Sequence, residues 1–232
     1  MERILQEIEK MCRESGVADV GFSRPEDAPA GLGTAITIVV PLMDAVVEEI
    51  EDGPTHTYYH HYRTVNAFLD QTLLKAALLL QKEGWRALPI PASQTLYDGG
   101  ERTHMGRYSH KKAAVLAGLG TIGRSCLFLH RVYGPRVRLG TLFTDCPLDT
   151  AAEILPFACG GCRRCAEACP AGAITGADWR PGVEREVLFD AHRCNDYMLG
   201  HFMTVGRGAV CGICMRVCPA GKSRKDAAKE VR

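Results

Sequence analysis

The sequence predicts an α+β chain in two parts, a mixed helix and strand core over residues 1–155 and a cysteine-rich lobe over 156–232. Three observations carry this. Helical and strand patterns are interspersed up to about residue 150. Eight of the 11 Cys fall after residue 158, in two tight runs. The composition changes at the same place, to Cys, Gly and Arg with short Ala-rich pieces between.

Residues 1–16 place Ile4, Leu5, Ile8, Met11 and Cys12 on one helical face, and Gly16 is a natural stop. Ala35 to Leu42 is apolar and β-branched, which predicts a buried strand. The acid-rich run Asp44 to Asp52 reads as a solvated loop or helix face. Tyr58 to Gly84 is the longest helical segment, with Val65, Phe68, Leu69, Leu73, Ala76, Ala77 and Leu80 recurring at three- and four-residue steps. Ala87 to Ile90 reads as a short strand ended by Pro91; Pro89 inside it confines it to a sheet edge. A helix over 110–117 is broken by Gly118-Leu119-Gly120. Leu127 to His130 and Val137 to Phe143 read as strands around a Gly134-Pro135 turn. A boundary falls near 150–158.

Composition narrows the function classes. The chain has 232 residues, 28 Lys+Arg against 27 Asp+Glu, 46% hydrophobic and 24% charged residues. Those proportions suit a folded domain and exclude intrinsic disorder. A net charge of +1 does not favour a basic nucleic-acid binder. The sequence runs from Met1 straight into the amphipathic pattern, so no secretory leader is expected. The longest apolar stretch, Ala35 to Met43, contains a proline and is too short to span a bilayer. A cytoplasmic setting without membrane contact is the expectation. Thiols stay reduced there, so clustered cysteines mean metal or catalysis before they mean disulfides.

The cysteine spacing is specific. Cys159-x2-Cys162-x2-Cys165-x3-Cys169-Pro170 comes first, then Cys194 alone, then Cys211-x2-Cys214-x3-Cys218-Pro219. The first run has the bacterial ferredoxin spacing for a [4Fe–4S] cluster, in which the fourth cysteine serves the other cluster of a pair. Two-residue gaps wrap successive thiolates around neighbouring corners, and the proline ends the local turn. The second run lacks one local cysteine, which Cys194 supplies. One cluster is therefore assigned to Cys159, Cys162, Cys165 and Cys218, the other to Cys169, Cys194, Cys211 and Cys214, with no cysteine of the lobe left over. Two Zn(Cys)4 staples are the bland alternative. Zinc has no need of the longer run or of a second Cys-Pro end.

Gly118-x-Gly120-x-x-Gly123 matches the dinucleotide fingerprint, with Asp145 following near a strand end. That fingerprint requires a strand before the glycines and a helix after them. Here a helical, Lys- and Ala-rich stretch precedes and strand residues follow. The alternative is a glycine turn at which backbone closely approaches some other large ligand.

The stretch from Lys112-Ala113-Ala114 to Gly123, then Tyr133-Gly134-Pro135-Arg136-Val137-Arg138-Leu139-Gly140, then Phe143-Thr144-Asp145 and Pro147-Leu148, resembles the corrinoid-dependent reductase superfamily of epoxyqueuosine reductases and reductive dehalogenases. The double cysteine run with its isolated Cys194 resembles the same proteins. The resemblance covers roughly residues 110–220. It implies a nitroreductase-like α+β core that binds a corrinoid (cobalamin), fed with electrons by a ferredoxin-like lobe carrying two [4Fe–4S] clusters. It places Gly118, Gly120, Thr121 and Gly123 beside the corrinoid. Epoxyqueuosine reductases carry an Asp-Tyr-His step at a helix start, whose acid donates a proton. The nearest segment here is His60-His61-Tyr62-Arg63, with His61 in the acid's place, so His61 and Tyr62 are the candidate catalytic residues. The resemblance further implies an electron-donor protein of ferredoxin or flavodoxin type and a small-molecule substrate. The extension with which larger relatives grip tRNA and the export leader of respiratory dehalogenases are not expected here, and the implied reaction is a reductive one similar to that of epoxyqueuosine reductase or reductive dehalogenase, its substrate open. The other function readings are a ferredoxin-type electron carrier or corrinoid-reducing partner with no substrate of its own, and a zinc-stapled interaction module.

Several further residues have two readings each. Tyr58 to Tyr62 form a run of rings that either packs a helix start or faces a substrate. Tyr97 and Asp98, before Gly99-Gly100, form a plain turn or line the same pocket. His104 and His110 are candidate cobalt ligands, although the resemblance implies a cobalt without a protein base. Cys126 and Cys146 are best read as small buried hydrophobes. Arg163, Arg164, Arg216 and Lys222 either dock an acidic electron donor or simply solvate the surface.

Overall fold

The computed structural model describes residues 2–147 and 152–220. Leu148 and Lys222 lie outside the described residues. In chain order the elements are α1 (Glu2–Glu14), β1 (Asp19–Ser23), β2 (Thr34–Pro41), α2 (Asp44–Glu48), α3 (His56–Lys82), β3 (Ala87–Ile90), β4 (Tyr97–Asp98), β5 (Glu101–Arg102), α4 (His110–Leu116), β6 (Gly120–Ile122), β7 (Phe128–His130), β8 (Val137–Thr144), α5 (Arg164–Glu167), α6 (Arg185–Leu188), α7 (Ala191–His201) and α8 (Ile213–Arg216). The architecture is mixed α+β, with the long elements before residue 150 and short helices after it. Among the described residues no helix is long and apolar enough to cross a membrane.

The chain divides into two compact units, and the division is not contiguous in sequence. The first comprises Met1–Pro41, Thr64–Leu119 and Arg138–Leu155; the second comprises Leu42–Arg63, Gly120–Val137 and Pro156–Arg232. One of these breaks falls at 155/156. Two earlier segments also group with the cysteine-rich lobe.

The first unit is built on a sheet of order β1-β2-β8-β3. β1 pairs antiparallel with β2, from Asp19↔Val39 to Ser23↔Ala35, and β3 pairs antiparallel with β8, from Ala87↔Thr144 to Ile90↔Thr141. The apolar run of β2 and its neighbour β8 are buried almost throughout, which suits central strands covered on both faces. Pro89 stands opposite Leu142 on the outer strand, where a missing N–H costs no ladder bond. Side chains alternate between faces along each strand. On one face Gly140 of β8 leaves room for Leu69 and Leu73 of α3 and for Ile38 of β2. Ala35, Ile90 and Phe143 pack with Ala113 of α4 on the other. α1 turns Ile4, Ile8 and Cys12 inward, which explains its apolar stripe. Tyr97 and Asp98 belong to a small exposed hairpin with Glu101 and Arg102, closed by Gly99 and Gly100, both left-handed.

The second unit joins α2, the first turns of α3, the β6–β7 hairpin and the short helices α5 to α8. The acid-rich run is more than a solvated face. Asp44 and Glu48, one helical turn apart on α2, both accept from Nη1 of Arg136, at 2.6 and 3.2 Å. Arg136 is 1% exposed, so the run supplies the counter-charges of a buried cation.

Candidate iron–sulfur site and its surroundings

All 11 cysteines are free thiols. Cys12 and Cys146 are fully buried and Cys126 nearly so, and they act as small core residues. The eight of the lobe are set by short turns. Cys162 donates its amide to the Cys159 carbonyl, Cys165 lies on α5, and Cys169 ends that turn before Pro170. Cys194 lies on α7, whose N-terminus Asp190 caps by accepting from the Arg193 amide. Cys211 and Cys214 flank the left-handed Gly212 that starts α8, and Cys218 follows its last turn.

The electrostatic neighbours of these thiols sort into two groups. Burial, then the charges of Cys159, Cys165 and Cys162, push Cys218 up to about 11. Burial, then Cys211, Cys169 and Asp190, push Cys194 up to about 12. Cys214 is raised by burial, then by Cys211, Cys194, Cys169 and, last, Cys165. Cys165 is raised by burial and by Cys159 and Cys162, although amide donors pull it back down. Free thiols so buried stay protonated. Binding of iron would release those protons, which would couple cluster assembly to the fold. Thiolates around one zinc ion stand about 2.3 Å from it. Among the described residues no three His, Cys, Asp or Glu side chains close on a single ion in that way.

The glycine turn is not a nucleotide loop. β6 pairs antiparallel with β7, from Gly120↔His130 to Ile122↔Phe128, so strand follows the glycines where a helix would be needed. Asp145 is engaged elsewhere, accepting from the Arg86 amide at 2.8 Å. A Cβ at Gly118 would meet the Glu153 carbonyl at 3.1 Å. One at Gly123 would meet Leu129 Cδ1 at 2.8 Å and Cys159 Sγ at 3.3 Å. The side-chain positions of these glycines are thus taken by protein atoms, one of them a cluster cysteine. Thr121 differs: it is 3% exposed and its Oγ1 has no hydrogen-bond partner. A buried hydroxyl without a partner is costly, so this atom fits an outside polar group.

His61 and Tyr62 lie half-buried on the first turns of α3. His61 Nε2 accepts from the amide of Met43, the residue before α2, at 3.0 Å, so its remaining proton sits on Nδ1. Burial holds its pKa below the usual histidine value. The Tyr58 ring lies beside the backbone of Gly212, between the cluster cysteines Cys211 and Cys214, and Tyr59 lies against Gly206. The start of α3 therefore touches the cluster loops directly. His110 is no cobalt ligand: Nδ1 meets Thr141 Oγ1 at 2.9 Å and Nε2 meets the Pro91 carbonyl at 3.0 Å.

One residue that the sequence reading passed over is Arg124, in the loop between β6 and β7. Its amide points at Cys159 Sγ, 3.5 Å away, and its Nη1 donates to the Cys162 carbonyl at 2.6 Å. The signal was a charged residue between Gly123 and the apolar Leu127-Phe128-Leu129, in a loop too short to solvate it. An open depression on the lobe is lined by Arg164, Glu167, Ala168, Arg216 and Val217.

A lobe carrying two cysteine runs of ferredoxin spacing marks an iron–sulfur protein. Residues 158–221 match the family of 4Fe-4S double cluster binding domains. The chain is similar to the epoxyqueuosine reductase of Pseudomonas aeruginosa, at 32% identity over 123 residues, 47% of this chain and 30% of that protein. It is similar to the tetrachloroethene reductive dehalogenase of Sulfurospirillum multivorans, at 35% over 117 residues, 47% of this chain and 23% of that one. Its fold matches a reductive dehalogenase structure described in connection with B12-dependent dehalogenation, with TM-score 0.73, 18% identity, 99% of this chain and 34% of that chain covered. It also matches the epoxyqueuosine reductase of Streptococcus thermophilus, with TM-score 0.63, 20% identity, 95% of this chain and 66% of that chain covered. The chain is an iron–sulfur relative of the epoxyqueuosine reductases and reductive dehalogenases, and it spans less than a third of the two curated relatives.

Proposed function

We propose that the chain is a corrinoid-dependent reductase of the cytoplasm, in which two [4Fe–4S] clusters pass single electrons to a bound corrinoid for a reductive reaction on a small molecule. The observation that carries this is the pair of cysteine runs at ferredoxin spacing, with Cys194 between them, inside a segment that matches the double-cluster domain family. The likeness to reductive dehalogenases and epoxyqueuosine reductases supplies the acceptor, and the first unit takes the part of a nitroreductase-like core. When bound, the corrinoid contributes a strongly reducing cobalt centre. The chain's own part is to hold, bury and orient. The hydroxyl of Thr121 would donate to a polar group of the cofactor, while Gly118, Gly120 and Gly123 let the protein pack closely behind that residue. His61 and Tyr62 would serve the proton, and a ferredoxin or flavodoxin would serve the electrons.

A second reading has a specific observation behind it. The side-chain positions of the three glycines are occupied by protein, which suits a ferredoxin-type electron carrier or corrinoid-reducing partner. Anaerobic reconstitution with iron, sulfide and cobalamin, followed by metal analysis, separates the two. About two clusters' worth of iron together with stoichiometric cobalt supports the reductase. Full iron with no cobalt uptake leaves the carrier. Tight zinc binding without a cluster spectrum overturns both.

A further inference from the structure

We propose that Arg124 sets the reduction potential of the cluster assigned to Cys159, Cys162, Cys165 and Cys218, raising it through a buried positive charge tied to the ligand loop. The inference rests on the two-cluster reading above.

Three contacts place the guanidinium. Its side chain is 9% exposed, and Nη2 pairs with Asp178 at 2.5 Å. Nη1 donates to the carbonyl of Cys162 at 2.6 Å. The guanidinium carbon stands 5.4 Å from the centre of the Phe157 ring. The backbone amide of the same residue aims at Cys159 Sγ. Nε is buried without a partner. A cation with this little water around it is only partly compensated, because the carboxylate it meets among the described residues, Asp178, is 63% exposed.

One-electron reduction adds a negative charge to a cluster. A nearby buried cation favours the reduced state, and so does an N–H aimed at a ligand sulfur. Arg124 offers both to one cluster. The carbonyl bond to Cys162 also fixes the loop, so Arg124 is a positioning residue as well as a source of charge. A purely structural role would leave the potential alone once the cluster is in place.

The test is an EPR-monitored redox titration of the anaerobically reconstituted full chain, with iron counted first. Arg124→Met, Arg124→Lys and Asp178→Asn are compared with the wild type. The expected result is full iron throughout, a lower midpoint for one cluster in Arg124→Met, a near-native midpoint in Arg124→Lys, and a higher one in Asp178→Asn. Full iron with an unmoved midpoint in Arg124→Met overturns the proposal. An equal fall in Arg124→Lys overturns the charge argument, because that variant keeps the cation. Should Arg124→Met lose iron, Asp178→Asn decides: a midpoint equal to wild type overturns the proposal. A wild-type chain that takes up fewer than two clusters instead defeats the two-cluster reading itself.

Discussion

Gly120 lies flat against the carbonyl of Leu129 across the β6–β7 hairpin, and a side chain there would collide with that oxygen and with the Phe128 ring. The residue is required by the protein's own packing. Gly120→Ala is therefore expected to destabilise the chain before any cofactor is added, by about 1–3 kcal/mol as overpacking. Urea denaturation of the cofactor-free protein checks this. A glycine reserved only for a ligand would show its effect in cofactor uptake and leave that transition unmoved.

Cross-ligation gives the second prediction. The spacing assigns Cys169 to Cys194, Cys211 and Cys214, and the thiols that most raise Cys194 and Cys214 are members of that set. Cys169→Ala should lose about half of the iron, and the surviving cluster should be the one of Cys159, Cys162, Cys165 and Cys218. Cys218→Ala should do the reverse. If each substitution instead removes the cluster of its own local run, the assignment is wrong.

Long periodic elements were legible in the sequence. The stripe of α3, the apolar run of β2 and the Pro89 edge each follow from one local pattern, and the structure has them within two residues. The glycine segment was legible only as a refusal: the missing helix after Gly123 argued against a nucleotide loop, but nothing local said that Leu129 fills the space. β1 has five residues and little alternation, so it is defined by its partner β2 and not by its own pattern. Partners distant in sequence hid the rest. Arg136 and the Asp44–Glu48 turn are 92 and 88 residues apart, and neither half announces the other. Arg124 and Cys159 are 35 apart, and an arginine beside a glycine has no periodicity to betray it.

The sheet core yields a coupled pair. Leu73 is fully buried, and its Cδ1 lies 2.8 Å from where a Cβ on Gly140 would stand. Leu73→Ala should cost about 2–5 kcal/mol through the cavity it leaves. Gly140→Ala alone should cost about 1–3 kcal/mol through crowding. The double variant should be less destabilised than the sum, because the new methyl enters the vacated space. Strict additivity in urea midpoints would show that the two sites do not share that space.

His110 makes stability depend on pH. Burial is the largest cause holding it below its ordinary 6.5, with the Pro91 carbonyl acting the other way. Nε2 must donate to that carbonyl, which leaves Nδ1 to accept from Thr141. The unfolded chain therefore binds more protons than the folded one between the two pKa values. The contribution is complete above the ordinary value and is lost as pH falls through the folded one. Thermal midpoints of wild type and His110→Gln measured from pH 7.5 down to about 5 should converge as pH drops. Parallel curves would remove His110 from the account.

His61 gives the last prediction, and it separates a structural duty from a catalytic one. Its Nε2 accepts from the Met43 amide, immediately before α2, and α2 supplies the counter-charges of Arg136. Losing that bond should cost about 1 kcal/mol. Because burial lowers the His61 pKa, the bond is fully present above the ordinary 6.5 and is lost as pH falls through the lower folded value, where a protonated Nε2 can no longer accept. His61→Ala and His61→Asn should both retain full iron. A side-chain carbonyl in Asn can accept from an amide, so His61→Asn should recover part of the stability lost in His61→Ala while restoring no proton donor. If both variants lose turnover equally and only His61→Ala loses stability, the imidazole serves the proton. If turnover returns with stability in His61→Asn, holding Met43 is its whole contribution, and the proton must be served by another group, with Tyr62 the next to be substituted.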